Sequence, residues 1–424
     1  MNDTVIPARG GDPLHVIIAG AGLGGLCLAH SLHRSGVSAA VYERDATAES
    51  RDQGYRISLK GTGAQALREC LPPHLYDLAQ ATAIRQARLM AFLDDQLVPK
   101  FAKDIPPATD GGFGVNRRTL REILLAELPQ VHFGRACRGY AATAGGRVEA
   151  RFGDGSAAVG DLLVGADGTG SAVRAQLLPD AGHDDLGWGL YGRTPLTPDL
   201  LAATPDVLVD SFNRVTAADG SAFAAATCRP VTPYAEAVAR FAPHVRLTPV
   251  ADCFAWTMTV NAPLPSGVDA AGLHALAVRT AAGFHPAVRR IVAEADVAAT
   301  FPVVLSSARP TGFWREPAVT LLGDAIHTMS PGRGDGANIA LRDASLLGAL
   351  LADAARGTMP LLRAKQEYEA QMLEYGFAAV DQSRTAPFAP PRPAPAGVPT
   401  GAPTGLPRSY AAPDHPPPLT TRRP

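Results

Sequence analysis

The sequence lacks the marks of several functional classes. Only four lysines occur, at 60, 100, 103 and 365, and the net charge is −1, so the basic footprint of a nucleic-acid binder is missing. The five cysteines (Cys27, Cys70, Cys137, Cys228, Cys253) are scattered and contain no CxxC pair. That spacing argues against a disulfide framework and a zinc motif, predicts no metal, and fits a reducing compartment. The start, MNDTVIPARGGDPLH, offers no positive leader before an apolar stretch, and the longest apolar run, VIIAGAGLGGLCLAHSL at 16–32, is interrupted by glycines. A soluble cytoplasmic protein with no membrane span is expected. What is present is apolar bulk: 46% of 424 residues are hydrophobic and 19% charged, enough for two packed domains.

Along the chain, VIIA at 16–19 is followed by glycines and then by LCLAHSLHRSG, which reads as strand, tight turn and helix ending at Gly36. SAAVYE at 38–43 completes a βαβ start. RRTLREILLAEL at 117–128 places apolar residues on one helical face, and 146–166 reads as strands around a DG turn. Residues 186–305 are β-rich and dotted with aromatics, with one helical piece near 270–295. The strand AVTLL at 318–322 leads through GDAIH and a glycine-rich loop into helices over about 337–355 and 360–380. Beyond about 386 the chain is dense in proline, and such a segment buries too little surface to offset its ordering entropy, so a disordered tail is expected over 386–424.

Gly20-Ala21-Gly22-Leu23-Gly24-Gly25 fits GxGxxG between a strand and a helix. Gly20 permits the turn, Gly22 lets backbone approach a pyrophosphate, and Gly25 allows close helix–strand contact, while the helix N-terminus offers N–H groups to phosphate. Glu43 ends the second strand, where a carboxylate accepts bonds from ribose hydroxyls and repels a 2′-phosphate, so the bound dinucleotide is FAD or NAD. Two further strand ends, Asp167-Gly168 after DLLVGA and Gly323-Asp324 after LL, make sense if all three converge on one long ligand. The late loop Pro331-Gly332-Arg333-Gly334-Asp335-Gly336 opens a helix whose N-terminus would stabilise negative charge on a reduced flavin. Pro331, Gly334, Gly336, Ala337 and Asn338 therefore join the candidate cofactor residues.

In the order and spacing of these three motifs the sequence resembles the class A flavoprotein monooxygenases, the p-hydroxybenzoate hydroxylase-like group. Within it, VYERD at 41–45, VNRRTLREILLAEL at 115–128 and YEAQMLEYG at 368–376 are most similar to the tetracycline-inactivating flavin monooxygenases. The resemblance implies that Arg117 contacts FAD, Asp324 binds its ribityl hydroxyls, Asp167 sits by the pyrophosphate, and Arg44 joins the cofactor set beside Glu43. It links Arg51 to NADPH. Ser58 stands where that subgroup has a carboxylate, and Asp335 replaces a usual amide. The implied fold is α/β (α+β overall), with a Rossmann-type FAD-binding domain from 1–75, 100–185 and 300–385 and a mixed-sheet substrate domain from 76–99 and 186–299.

The implied activity is an NADPH- or NADH-consuming hydroxylase. It inserts one oxygen atom from O2 into an aromatic or polyketide-like molecule through a flavin C4a-hydroperoxide. A flavin-dependent dehydrogenase, epoxidase or Baeyer–Villiger oxygenase on the same scaffold is the alternative. A halogenase is disfavoured because Trp256 stands alone without a WxWxIP signature. Cys27 falls on the apolar face of the first helix and reads as packing, so the FAD is expected to be non-covalent. His327 is a candidate catalytic base, though in this turn it reads better as a prop for the backbone beside the flavin, and Asp343 reads as a local structural partner. Tyr191, Trp256 and Met258, each of which reads alone as core, are together the candidate substrate contacts. A monomer or homodimer is expected.

Overall fold

The computed structural model describes residues 13–50 and 56–384. The chain opens with β1 (His15–Ala19), α1 (Leu23–Arg34), β2 (Ser38–Tyr42), β3 (Arg56–Leu59), α2 (Gly61–Cys70) and α3 (Pro73–Ala81). A hairpin, β4 (Leu89–Asp94) and β5 (Pro99–Asp104), precedes β6 (Phe113–Asn116) and α4 (Arg117–Leu125). Short strands follow: β7 (Val131–His132), β8 (Cys137–Ala142), β9 (Val148–Phe152), β10 (Ala157–Gly160) and β11 (Leu162–Gly165), then α5 (Ala172–Leu177). The middle of the chain contributes β12 (His183–Pro195), α6 (Pro198–Ala203), β13 (Ser211–Thr216), β14 (Ala222–Cys228), α7 (Tyr234–Phe241) and β15 (Cys253–Thr259). After α8 (Ala270–Thr280), α9 (Pro286–Ala293) and β16 (Phe301–Ala308), it closes with β17 (Val319–Leu321), α10 (Asp324–His327), α11 (Gly336–Ala355) and α12 (Leu361–Arg384).

Two large sheets organise these elements. The first is parallel throughout, in the order β17-β11-β1-β2-β7. Its central strands are apolar runs with no alternation, as a sheet covered on both faces requires; Val16, Ile17 and Ile18 of β1 and Leu162, Leu163 and Val164 of β11 are fully buried. Helices α1 to α4, α11 and α12 supply much of the rest of that core. The second sheet is mixed, in the order β16-β12-β15-β14-β13-β4-β5. One face packs a separate core of Phe223, Phe254, Trp256 and Met258 against α8 and α9. The small ribbon β3–β6 runs beside it, joined through a bridge from Ile84 to both Gly114 and Pro230.

Three local outcomes differ from the sequence expectation. The helix at 117–128 stops at Leu125 and Glu127 turns left-handed at φ 62°; Pro129 disfavours helical backbone at the residue before it. The helical piece near 270–295 is two helices, because Pro286 cannot continue α8 and instead starts α9. The mixed sheet also takes in β5 and β16, which lie just inside the 100–185 and 300–385 segments assigned to the cofactor domain. Hairpin pairing of β5 on β4, and eight-residue β16 along β12, extend the sheet past those boundaries. The tail at 386–424 lies outside the described residues, and no helix among those described is long and apolar enough to cross a membrane.

Candidate FAD site

The three motif-bearing strand ends are neighbours, since β1, β11 and β17 lie side by side and all run the same way. Each glycine of the first motif has a distinct environment. Gly20 has φ 114°, and a Cβ on it would lie 2.3 Å from the Ala166 carbonyl oxygen. A Cβ on Gly25 would lie 2.2 Å from the Gly20 oxygen, so strand and helix touch there. A Cβ on Gly22 would meet nothing within 4 Å. Space therefore opens at the one glycine that precedes the helix, where first-turn N–H groups lack intrahelical acceptors and no side chain caps them.

Glu43 is buried and fixes this turn from the next strand. Its Oε2 accepts the Ala21 amide hydrogen at 2.7 Å and its Oε1 that of Asp45 at 3.0 Å, leaving lone pairs on both oxygens. Arg44 beside it is exposed. Arg121 was not singled out by the motifs, yet it is buried against the same turn, donating from Nε to the Ala21 carbonyl at 3.1 Å and from Nη1 to Ala48 at 2.6 Å. The available signal was a charged residue one turn after Arg117, on the face of α4 that buries Leu120 and Leu124.

At the second strand end, Asp167 Oδ2 accepts the Ala172 amide hydrogen at 2.8 Å, holding the start of α5, while its buried Oδ1 has no partner among the described residues. A buried carboxylate oxygen in that state is costly unless a ligand meets it. Arg174 of α5 bridges to the third strand end, donating to the carbonyls of Ala325 (2.9 Å) and Thr169 (2.7 Å).

The third end carries Asp324. Every residue from Ala318 to Thr328 is buried except this one, which is exposed. Its carboxyl nonetheless lies deep enough in the protein that desolvation raises its pKa, with the charges of His327 and Arg117 opposing the rise and that of Asp343 adding to it. Solvent contact and depth together describe a carboxylate on the floor of a cleft. A Cβ on Gly336 would lie 3.9 Å from Asp324 Oδ1, so the start of α11 closes on the same point. Gly334 adopts the left-handed conformation (φ 68°, ψ 26°) that lets the loop turn into that helix.

The open space at Gly22, the unpartnered Asp167 oxygen and the cleft-floor Asp324 fit a long ligand carrying phosphates and hydroxyls. FAD is such a molecule.

His327 is fully buried, and its Nε2 donates to Asp343 Oδ2 at 2.7 Å; packed against Gly376, it is held inside the turn, the prop role rather than that of a base open to substrate. Asp343 also accepts the Gly323 amide hydrogen and the Tyr375 hydroxyl, so this pair braces the turn that carries Asp324. Asn338 is buried with its amide committed to the protein. Its Nδ2 donates to the Ser58 and Gly334 carbonyls at 3.0 and 2.9 Å, and its Oδ1 accepts the Lys60 amide hydrogen at 2.8 Å. Its side chain ties β3 to the loop, while its backbone N–H lies in the first turn of α11. Asp335 pairs with Lys60 and Arg333, while Pro331 is exposed and Ala337 half-buried at the loop's two ends.

Strand alternation divides the substrate candidates. Trp256 and Met258 share the helix-covered face of β15, each 1% exposed, and Trp256 Nε1 donates to Thr194 Oγ1 at 3.0 Å. They are core residues, which corrects their assignment to substrate. Tyr191 is on the opposite face, level with Thr257 and stacked on Phe301 at 5.9 Å. That face also carries Phe212, over which the Arg56 guanidinium of β3 sits at 4.9 Å. Arg56 donates from Nη1 to the Thr227 carbonyl at 3.1 Å, but its buried Nε has no partner among the described residues, and burial lowers its pKa. No motif pointed to Arg56. Arg51 lies outside the described residues.

A family profile described as "FAD binding domain" matches residues 277–383. A solved structure from Photorhabdus luminescens, named as a candidate FAD-containing monooxygenase, is 31% identical with a TM-score of 0.75, over 89% of this chain and 98% of that one. The Klebsiella pneumoniae protein HpxO, solved with FAD and uric acid, is 26% identical with a TM-score of 0.68, over 88% and 87% of the two chains. Among curated proteins, the dual O-methyltransferase/FAD-dependent monooxygenase elcB of Phaeosphaeria nodorum is 33% identical over 82% of this chain and 41% of its own length. The chain thus spans less than half the length of that relative.

Proposed function

Since this chain belongs to the family of FAD-dependent aromatic monooxygenases, we propose that it is itself such an enzyme, spending NADPH or NADH to place one oxygen atom of O2 on an aromatic, polyketide-like small molecule. The observation that carries this reading is Asp324, the one exposed residue in a buried stretch, within contact distance of the start of α11. Glu43 would hold the FAD adenosine, the turn at Gly22 and Asp167 the pyrophosphate, and Asp324 with Arg117 the ribityl hydroxyls. Bound there, FAD supplies hydride acceptance and oxygen activation, chemistry that no side chain provides.

The residues contribute position and charge. Arg121 and Glu43 hold the glycine turn rigid, Asp343 and His327 hold the turn of Asp324, and Asn338 fixes the loop that opens α11. The N–H groups at the start of α11 then stabilise negative charge at the cofactor's reactive end. The first sheet with its helices forms the cofactor body, and the open face of the second sheet covers the substrate. Tyr191 and Phe212 give that face aromatic surface, and the unsatisfied Arg56 Nε gives it a donor for a phenolate or carboxylate oxygen. Among relatives, HpxO bound to FAD and uric acid supports a planar, electron-rich substrate. The donor site at Arg51 and a cytoplasmic location belong to the same reading.

The test is a screen of phenols and hydroxylated polycyclic aromatics for acceleration of NADPH-driven reduction of the bound flavin. One or more should accelerate it. A protein that binds no FAD when reconstituted, or whose flavin NADPH and NADH never reduce, is not this enzyme.

A further inference from the structure

Three side chains from distant parts of the sequence converge at the surface where α3, α4 and α7 meet. His74 lies in the first turn of α3, Glu127 just beyond α4 and His244 just beyond α7. Both imidazoles direct Nε2 to the same oxygen, Glu127 Oε1, His74 at 2.7 Å and His244 at 2.5 Å. One donor atom from each residue lies within 4.8 Å of the other two. None of the three takes part in the cofactor cleft. The left-handed backbone at Glu127 turns its carboxylate back between the two rings.

The donor set is chemically selective. Two imidazole nitrogens and one carboxylate oxygen are the protein ligands of a four-coordinate zinc ion that keeps a water in its fourth position, and nitrogen donors favour zinc over calcium or magnesium. With ligands about 2.0–2.2 Å from the metal, tetrahedral donors sit about 3.4 Å apart. The rings must therefore withdraw from Glu127 by less than ~1 Å on that geometry. Side-chain exposures of 40% for His74 and 58% for His244 leave room for that rotation. Spacings of 53 and 117 residues from Glu127 gave the sequence no local motif to reveal the set.

We propose that His74, Glu127 and His244 form a surface zinc site with a water as fourth ligand. The ion clasps the segment that leaves the mixed sheet between β14 and β15 onto α3 and α4, and so steadies the substrate-covering sheet against the cofactor body. This is independent of the flavin chemistry.

The FAD-loaded full chain, treated with EDTA and dialysed, is titrated with zinc chloride by calorimetry and melted with and without zinc. One equivalent should bind at micromolar concentration and raise the Tm, while magnesium chloride leaves Tm unchanged. The double variant His74→Gln/His244→Gln should lose the Tm rise and bind at least ~tenfold more weakly, since even residues that only support a metal ligand cost about 10–100-fold. FAD content serves as the folding control, and His244→Gln alone replaces the double variant should that one misfold. No stoichiometric zinc binding by the natural sequence overturns the site. So does undiminished zinc binding by a folded variant, which would place the metal on other histidines.

Discussion

His327 and Asp343 form a fully buried pair, with His327 Nε2 donating to Asp343 Oδ2 at 2.7 Å while the same oxygen accepts the Gly323 amide hydrogen at 2.9 Å. One carboxylate thus holds the backbone turn that aims Asp324 into the cleft. Asp343→Ala leaves an imidazole, an amide and the Tyr375 hydroxyl without their partner. The expected cost is about 3–5 kcal/mol of stability, read by urea denaturation, with weakened FAD retention in whatever protein stays folded.

The same pair predicts a pH dependence. Burial alone would lower the His327 pKa, but the Asp343 charge and hydrogen bond reverse this and the net shift is upward. A raised folded-state pKa stabilises fully below the unfolded value of about 6.5 and fades as pH rises through the folded value. The stability lead of the natural protein over His327→Gln should therefore shrink on the alkaline side of about 6.5. Thermal melts at stepped pH measure it; a lead that grows with pH would mean the buried imidazole is neutral, and an unchanging one that its pKa is not shifted.

The glycine turn separates folding from binding. Gly25→Ala forces a Cβ to within 2.2 Å of the Gly20 oxygen, and backbone on both sides cannot yield, so the protein should lose stability or fail to accumulate. Gly22→Ala places its methyl in open space and should fold normally while losing FAD, because the methyl occupies the ground of the pyrophosphate. Circular dichroism melts and flavin absorbance of the two variants decide this. Equal FAD occupancy in Gly22→Ala and the natural protein would move the pyrophosphate elsewhere.

Asp324→Ala removes the acceptor assigned to the ribityl hydroxyls and should weaken FAD binding by about 1–3 kcal/mol, the cost of leaving such groups unpaired. Fluorescence titration of apoprotein with FAD gives the value. Unchanged affinity would take Asp324 out of the cofactor site.

How much of this was legible in the sequence depends on how local each signal was. The strand–turn–helix around Gly20–Gly25, the Asp167 and Asp324 strand ends and the Gly334 turn follow from short-range patterns, and the structure sets these strand ends on neighbouring parallel strands. Period-2 alternation was also present in CFAWTMT, but nothing in the sequence says which face of β15 the helices α8 and α9 cover. Trp256 and Met258 therefore looked like pocket residues until the packing was seen. Arg121, Arg56 and the three residues at Glu127 were hidden for a different reason. Their partners lie 53 to 171 residues away, and only the fold brings them together. Asn338 lies in the first turn of α11, and its side chain holds the preceding loop to β3, a contact no local motif shows.

The oxygen atom itself gives the most direct check. A phenol that accelerates flavin reduction is turned over by the FAD-loaded protein with NADPH under ¹⁸O₂, and the product is weighed by mass spectrometry. One ¹⁸O atom per product, with the other oxygen leaving as water, is expected. An oxidised product without ¹⁸O would make the enzyme a flavin-linked dehydrogenase and contradict the monooxygenase reading.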